Sequence, residues 1–213
     1  NKTKIIPIDS EHFSIWQSLN ELNINNSKNL NNKIQNIFIT ASGGPFRNIS
    51  YADFKKIKVN QAIKHPTWKM GKKISIDSAT LVNKLFEVIE AQRLFNINIE
   101  KISIKIHPQS YIHSIIKFSD GLIKICAHEP DMSIPIINSL DKNVHLKSKS
   151  KTNFKILNNL SFTDVNIKKF PVIKILEKYP NYCSLFDTAL VSANDELVNQ
   201  FLNKKISFND IFK

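Results

Sequence analysis

The sequence predicts an α+β fold, a mixed sheet with helices packed on it, followed by a linker and the start of a small helical domain. Three observations carry that prediction. Strand-like apolar runs at residues 102–106, 111–118 and 122–127 follow one another, with Asp120-Gly121 as a hairpin signal between the last two. Helical patterns precede them at residues 12–22 and 77–95, the second with Leu81, Leu85, Val88 and Ile89 as one apolar stripe. Beyond a polar, lysine-rich stretch at residues 141–155, the pattern is helical only: residues 172–178, 187–204, and a new start at Ser207-Phe208-Asn209-Asp210. The expected division is therefore 1–140, a linker at 141–165, and 166–213.

Taken in order, the apolar run Ile5-Ile6-Pro7-Ile8 reads as a strand that stops at Asp9-Ser10-Glu11. Side chains alternate along a strand, so Asp9 and Glu11 are expected on one side of its end, half of a site for a hard divalent cation. A helix over 12–22 and an Asn/Lys-rich surface loop over 23–36 follow. A second strand at 37–40 runs into Ala41-Ser42-Gly43-Gly44-Pro45-Phe46, whose glycines suit either an ordinary turn or a turn that presents backbone N–H groups to an anion. Residues 53–64 read as a lysine-rich helix stopped by Pro66. The loop His65-Pro66-Thr67-Trp68-Lys69-Met70-Gly71 carries large apolar side chains that either close over a ligand or tuck onto the core.

A short strand at 74–76 then feeds a helix that Asp77 or Ser78 caps, and first-turn N–H groups there would favour a phosphate. Asn83 and Glu87 are four apart and share a face, with Ser78 and Lys84 nearby. The plain alternative is a capped amphipathic surface helix. His107, His113 and His128 lie in or beside the three later strands, where packing or supporting roles are usual.

Composition bounds the function. The chain has 213 residues, 42% of them apolar, enough for a sizeable core. It contains no apolar run of bilayer-spanning length, and the polar start lacks the apolar stretch of a signal peptide, so a soluble protein without a membrane partner is expected. The net charge of +12 raises a nucleic-acid reading, but Arg47 and Arg93 are the only arginines and the lysines are dispersed amid heavy Asn and Ile usage. Solvated lysine faces are the preferred reading, and a lysine-rich nucleic-acid-binding module stands as the alternative outside enzymes. Cys126 and Cys183 lack the pairing of a zinc or thiol-redox motif, which leaves two buried thiols in a reducing compartment.

Taken together, six strings resemble, in order and spacing, the 1-deoxy-D-xylulose 5-phosphate reductoisomerase family. They are Pro7-Ile8-Asp9-Ser10-Glu11-His12, the Ser42-Gly43-Gly44-Pro45 turn, the segment from His65 through Asp77-Ser78-Ala79-Thr80, the helix bearing Asn83, Lys84 and Glu87, Ile106-His107-Pro108-Gln109-Ser110, and Glu129-Pro130-Asp131-Met132. The resemblance is dense over 5–135, thin through the linker, and resumes at Phe170-Pro171 and at residues 188–196. It implies NADPH-dependent, divalent-metal-dependent rearrangement and reduction of 1-deoxy-D-xylulose 5-phosphate to 2-C-methyl-D-erythritol 4-phosphate, a step of the non-mevalonate route to isoprenoid precursors.

By the same resemblance, residues 1–140 are the catalytic metal- and substrate-binding domain and 166–213 the start of a C-terminal helical domain. Asp9, Glu11 and Glu87 hold Mg2+ or Mn2+, and with His65 form the catalytic set. Ser10 touches the substrate backbone, while Ser42, Ser78, Asn83 and Lys84 take its phosphate. His65, Trp68 and Met70 form a lid, and Met70, Gly71 and Met132 lie toward the nicotinamide of NADPH. The family is a homodimer, with the sheet at 102–127 available for pairing between subunits, and the compartment implied is the cytoplasm or a plastid-type organelle.

Departures from the family pattern are Leu85 in place of a glycine, a shifted Asn194-Asp195-Glu196, and no Trp-Pro near Leu140-Asp141. Nor do these residues contain the strand, glycine-rich turn and helix of the family's N-terminal Rossmann domain. The chain as read is thus expected to hold metal and phosphate but to bind NADPH poorly by itself. A degenerate, inactive homologue is the alternative within the family.

Overall fold

The computed structural model describes residues 3, 5–22, 30–140, 153–182 and 184–212. Its elements in chain order are α1 (Ser10–Glu21), α2 (Leu30–Lys33), β1 (Ile34–Ala41), α3 (Val59–Ala62), α4 (Lys72–Thr80), α5 (Val82–Phe95), β2 (Ile102–Ile106), β3 (Ile112–Phe118), β4 (Ile123–Ala127), α6 (Ser133–Leu140), α7 (Phe154–Leu157), β5 (Thr163–Asp164) and α8 (Phe186–Leu202). They form two compact units, one from residues 1–41 and 87–163, the other from 42–86 and 164–213. Segment 1–140 therefore contributes to both units, and 166–213 belongs to the second.

The first unit is built on the sheet, ordered β4-β3-β1-β2-β5. β1 pairs parallel with β2, Ile37 opposite Ile102 and Ala41 opposite Ile106, and antiparallel with β3. β3 and β4 form the hairpin that Asp120-Gly121 predicts: Gly121 takes φ 93° and the Phe118 N–H donates to the Leu122 carbonyl at 2.8 Å. The sheet is mixed, as expected. Its core is aliphatic, with Ile34, Ile37, Ile39 and Ile116 fully buried. α1 lies across β3 and β4 and buries Phe13, Ile15, Trp16 and Leu19, residues spaced for one helical face.

Several expectations for this unit are corrected. Residues 5–8 are not a strand: Pro7 has no N–H to give a ladder, and Ile5 and Ile8 are exposed. Of the expected loop at 23–36, residues 23–29 lie outside the described residues, 30–33 form α2, and 34–36 begin a longer β1. The expected linker lies outside the described residues through 152, but its remainder is docked. The Gln109 amide donates to the Asn159 carbonyl at 2.7 Å, and Phe162 stacks on the His107 ring at 4.7 Å. α6, which the sequence reading lacked, begins where Asp131 accepts from both the N–H and hydroxyl of Ser133. Cys126 is half-buried and reduced, and Cys183 lies outside the described residues.

The second unit has an aromatic core. Phe54 and Phe208 are fully buried and meet edge to face at 5.5 Å, with Phe46, Phe170 and Phe212 around Phe54. The lysine-rich helix expected at 53–64 is instead a 3-10 turn (Tyr51–Lys56) and the short α3, parted where the Gln61 side chain accepts from the Lys58 N–H. Residues 171–178 also wind as a 3-10 helix rather than an α-helix. The largest correction concerns residues 74–76, which are helical, not a strand. α4 starts after Gly71, turns Ser75, Ile76, Ala79 and Thr80 inward, and ends at Leu81 with φ 62°. Three alternating residues suit either period, and the back-bonds from Ser75 to the Gly71 carbonyl and from Thr80 to the Ile76 carbonyl fit the helix.

Candidate functional site

One group of candidate residues, the acidic one, lies in the first unit, where α1 begins. Asp9 is the N-cap, in extended conformation, and its Oδ2 accepts from the His12 N–H at 3.0 Å. The same oxygen lies 2.7 Å from His12 Nδ1, while His12 Nε2 lies 2.8 Å from the Glu87 carbonyl of α5. Both ring nitrogens face acceptors, so both donate, and the ring is an imidazolium. Burial works to lower the His12 pKa, but the hydrogen bond and charge of Asp9, with the carbonyl and carboxylate of Glu87, overcome it and push it to about 9. Glu90 adds a carboxylate oxygen 3.9 Å from Nδ1.

Glu11 sits in the first turn of α1, where negative charge suits the helix dipole, and accepts from the Ser10 hydroxyl at 2.5 Å. Glu87 is only 8% exposed. Asp9 and Glu87 thus meet at His12, and Glu11 is two residues beyond the cap. Among the described residues no three His, Cys, Asp or Glu side chains stand together as a group able to hold a metal ion. Carboxylates at ligand distance repel unless a positive charge stands among them, and His12 places one against Asp9. The three candidates are nevertheless all-oxygen donors, the chemistry that a hard divalent cation takes.

Sequence reasoning missed His12 and Glu90. The Asp9/His12 spacing at a helix start was a local signal, but the Glu87 carbonyl that fixes the ring is 75 residues away. The His113 and His128 rings stack on one another at 3.9 Å, with His128 held down in pKa by burial. His107 is likewise lowered by burial and accepts the Tyr111 and Ile112 N–H groups.

The phosphate candidates lie in the second unit. Gly43 and Gly44 take φ 82° and 67°, the left-handed region. A Cβ on Gly44 would stand 3.0 Å from the Ser78 carbonyl oxygen and 3.1 Å from the Ala79 Cα, so the Ser42 turn rests on the backbone of α4 at Ser78. Ser78 lies in the last turn of α4, not at a helix start as the sequence suggested. The helix N-terminus here is that of α5, where Thr80 Oγ1 accepts from the Val82 N–H and Asn83 and Lys84 occupy the first turn. Lys84 is 5% exposed.

His65 belongs to the same group in the second unit. Its Nδ1 accepts from the N–H groups of Thr67 and Trp68 at 3.1 and 2.8 Å, and its Nε2 lies 3.1 Å from Ser42 Oγ. Burial, then the charges of Lys84 and Arg47, push its pKa down to about 4. The ring is neutral, its proton is on Nε2, and it donates to Ser42 Oγ, which also accepts from the Gly44 N–H. The Ser42 oxygen thus accepts twice, and its hydroxyl proton is directed away from both donors.

Trp68 and Met70 are half-buried in a segment without helix or strand, and Gly71 is the exposed N-cap of α4. Met132 lies in the first unit, just before α6. Leu85 is buried and lines an apolar pocket with Val82, Ile175, Leu197 and Phe212. It lies roughly 200° around α5 from Asn83 and Glu87, at about 100° per residue.

A family model described as the 1-deoxy-D-xylulose 5-phosphate reductoisomerase C-terminal domain matches residues 5–95, and one described as the DXP reductoisomerase C-terminal domain matches 128–213. The 1-deoxy-D-xylulose 5-phosphate reductoisomerase of Pelagibacter ubique is 54% identical over 211 residues, 99% of this chain and 53% of that protein. That of Clostridium tetani is 41% identical over 214 residues, 100% of this chain and 54% of that protein. A crystal structure of DOX-P reductoisomerase with NADPH, fosmidomycin and magnesium matches with a TM-score of 0.89 and 36% identity, covering 98% of this chain and 52% of that one. The Zymomonas mobilis enzyme in complex with NADPH matches with a TM-score of 0.82 and 36% identity, covering 96% and 51%. The chain spans about half the length of the relatives it matches. Two successive domain models of one enzyme and similarity to its members along nearly the whole of this chain agree: the chain belongs to the 1-deoxy-D-xylulose 5-phosphate reductoisomerase family.

Proposed function

We propose that this chain supplies the metal- and phosphate-handling residues for NADPH-dependent rearrangement and reduction of 1-deoxy-D-xylulose 5-phosphate to 2-C-methyl-D-erythritol 4-phosphate, in the non-mevalonate route to isoprenoid precursors. The observation that carries the reading is the Ser42 turn seated on Ser78, with a neutral His65 and a buried Lys84 beside it. A hydroxyl proton directed outward, a lysine withheld from water and the first turn of α5 form a cradle for a phosphate dianion.

Asp9, Glu11 and Glu87 would hold Mg2+ or Mn2+, for which an all-carboxylate donor set is suited. When bound, the cation supplies Lewis acidity at the hydroxyketone oxygens, and NADPH supplies the hydride. The chain's own residues do the rest. His12 fixes Asp9 and the start of α1 against the Glu87 backbone. Ser10 holds the Glu11 carboxylate through its hydroxyl, and that hydroxyl is the group nearest the substrate backbone in this reading. His65 holds Ser42, and with Trp68 and Met70 closes over the substrate to exclude water. Met70, Gly71 and Met132 are the residues that this reading assigns to the nicotinamide of NADPH, which they would cover when it is bound.

A homodimer is part of the same reading. β4 is an edge strand whose Ile123 and Ile125 are 54% and 52% exposed, a row that a second copy would cover. Among the described residues no helix is long and apolar enough to cross a membrane, and we assign the protein to the cytoplasm or a plastid-type organelle.

The assignment is tested by calorimetry of Mn2+ binding to Asp9→Ala, Glu11→Ala and Glu87→Ala, each of which should weaken it. Unchanged affinity in all three defeats it. The full-length protein should oxidise NADPH only with the sugar phosphate and a divalent ion present, and a metal-independent rate would sink the mechanism.

A further inference from the structure

Asp77 is a carboxylate only 4% exposed, one residue before Ser78 in the last turn of α4. An isolated carboxylate withheld from water is strongly unfavourable unless each oxygen finds a donor. Both do. Oδ1 accepts from the Asn194 side-chain amide of α8 at 2.9 Å, and Oδ2 from Lys73 Nζ at 2.7 Å. Lys73 also reaches Asp195 Oδ1 at 3.1 Å, so the adjacent pair Asn194-Asp195 grips α4 at two points.

Asn194 is itself 6% exposed, and its amide oxygen has no hydrogen-bond partner. The amide is thus spent on Asp77 alone. On another side, the same turn of α4 carries the Gly44 turn on the Ser78 carbonyl. The last turn of α4 is therefore held by α8 at Asp77 and by the Ser42 turn at the Ser78 carbonyl, so both holds fall on or next to Ser78.

We infer that Asn194 is a positioning residue for phosphate binding: through Asp77, with Lys73 as the second donor, it sets where the Ser78 hydroxyl stands relative to Ser42. This rests on the phosphate reading of Ser42 and Ser78 above. The shifted Asn194-Asp195-Glu196 string then has a physical role, because a shorter or apolar side chain at position 194 would leave Asp77 Oδ1 buried without a donor.

The test measures affinity for the phosphonate fosmidomycin, in the full-length protein with Mg2+ present, together with Mg2+ affinity and thermal stability. Asn194→Ala should weaken fosmidomycin about tenfold, the scale of a lost hydrogen bond to a charged group, while Mg2+ affinity holds. The exchange Asn194→Asp with Asp77→Asn restores an amide facing a carboxylate and should recover most of the loss. Unchanged fosmidomycin affinity in Asn194→Ala overturns the inference, as does a loss that the exchange fails to recover. Should Asn194→Ala fail to fold, Lys73→Gln decides, since Lys73 is half exposed: a several-fold loss supports the inference and no loss overturns it. Ser78→Ala separates the two levels, for if it leaves fosmidomycin affinity unchanged, the phosphate reading itself has failed.

Discussion

Gly44 offers the sharpest perturbation of the proposed phosphate turn. Alanine there carries two separable penalties. The first is conformational: φ is 67°, and a left-handed backbone costs an L-residue about 1–2 kcal/mol. The second is steric: the new Cβ would stand 3.0 Å from the Ser78 carbonyl oxygen and 3.1 Å from the Ala79 Cα, backbone atoms that cannot swing aside. Forcing a methyl into such a contact typically costs about 1–3 kcal/mol. Gly44→Ala should therefore lose about 2–5 kcal/mol, a large share of the stability of an ordinary domain. Gly121 is the internal control, because its φ is 93° but a Cβ there meets nothing within 4 Å. Gly121→Ala should show the conformational penalty alone. Urea denaturation of the two variants beside the parent isolates the contact, and the affinity of Gly44→Ala for a phosphonate should fall as the Ser42 turn lifts from Ser78. Equal losses in the two variants would refute the claim that the turn is seated on α4.

The other predictions concern charge, packing and assembly. His65 should titrate near pH 4 in a proton NMR titration, and Lys84→Met should raise that value without restoring 6.5, since burial is the larger cause. Because the folded pKa lies below the unfolded one, the neutral ring contributes stability that is complete above about pH 6.5 and is lost as pH falls through 4; a midpoint near 6.5 in the folded protein would show the ring to be solvated. Leu85→Ala should lose about 2–5 kcal/mol in urea denaturation while Mn2+ affinity is retained, because Leu85 is 1% exposed on the face of α5 away from Glu87. A loss under about 1 kcal/mol would mean that the leucine is not a core residue. Ile125→Lys, on the exposed edge strand, should give a monomer in sedimentation, and a persisting dimer would remove β4 from the interface.

What was legible in the sequence was set by short-range chemistry. Residues 102–106 alternate cleanly and are β2, and Asp120-Gly121 announces the hairpin because φ at Gly121 must be positive. The helix after Asp9 was found within two residues of its start because its apolar residues recur at helical spacing. Legibility failed where one stretch suits two periods. Ile74-Ser75-Ile76 alternates like a strand, but only the surrounding turns of α4, closed by Leu81 in the left-handed region, decide otherwise. Ser78, Asn83 and Lys84 could be picked out, but the reason given for Ser78, a helix N-terminus, belongs to Asn83 and Lys84 at the start of α5. Partners distant in sequence were invisible. Asn194 and Asp77 are 117 residues apart, and nothing near either announces the other.

His12 in the first unit and His65 in the second show how one side chain is set to opposite ends of its range by its surroundings. His12 is enclosed by the Asp9 carboxylate, the Glu87 carbonyl and the more distant Glu90, so both nitrogens donate and burial fails to strip the proton. His65 is enclosed by backbone N–H donors on one nitrogen and by the charges of Lys84 and Arg47, so burial prevails and the ring is neutral. Each state matches the proposed task. Where three carboxylates are to share a divalent cation, a fixed imidazolium offsets their charge and holds Asp9 at the helix cap. Where a phosphate is to be taken, positive charge is already supplied by Lys84, and a protonated His65 would lose the Nδ1 acceptor that ties down Thr67 and Trp68. The neutral ring therefore couples the Ser42 hydroxyl, through Nε2–H, to the Thr67 and Trp68 backbone, through the Nδ1 lone pair, and the second of these links requires that Nδ1 stay unprotonated.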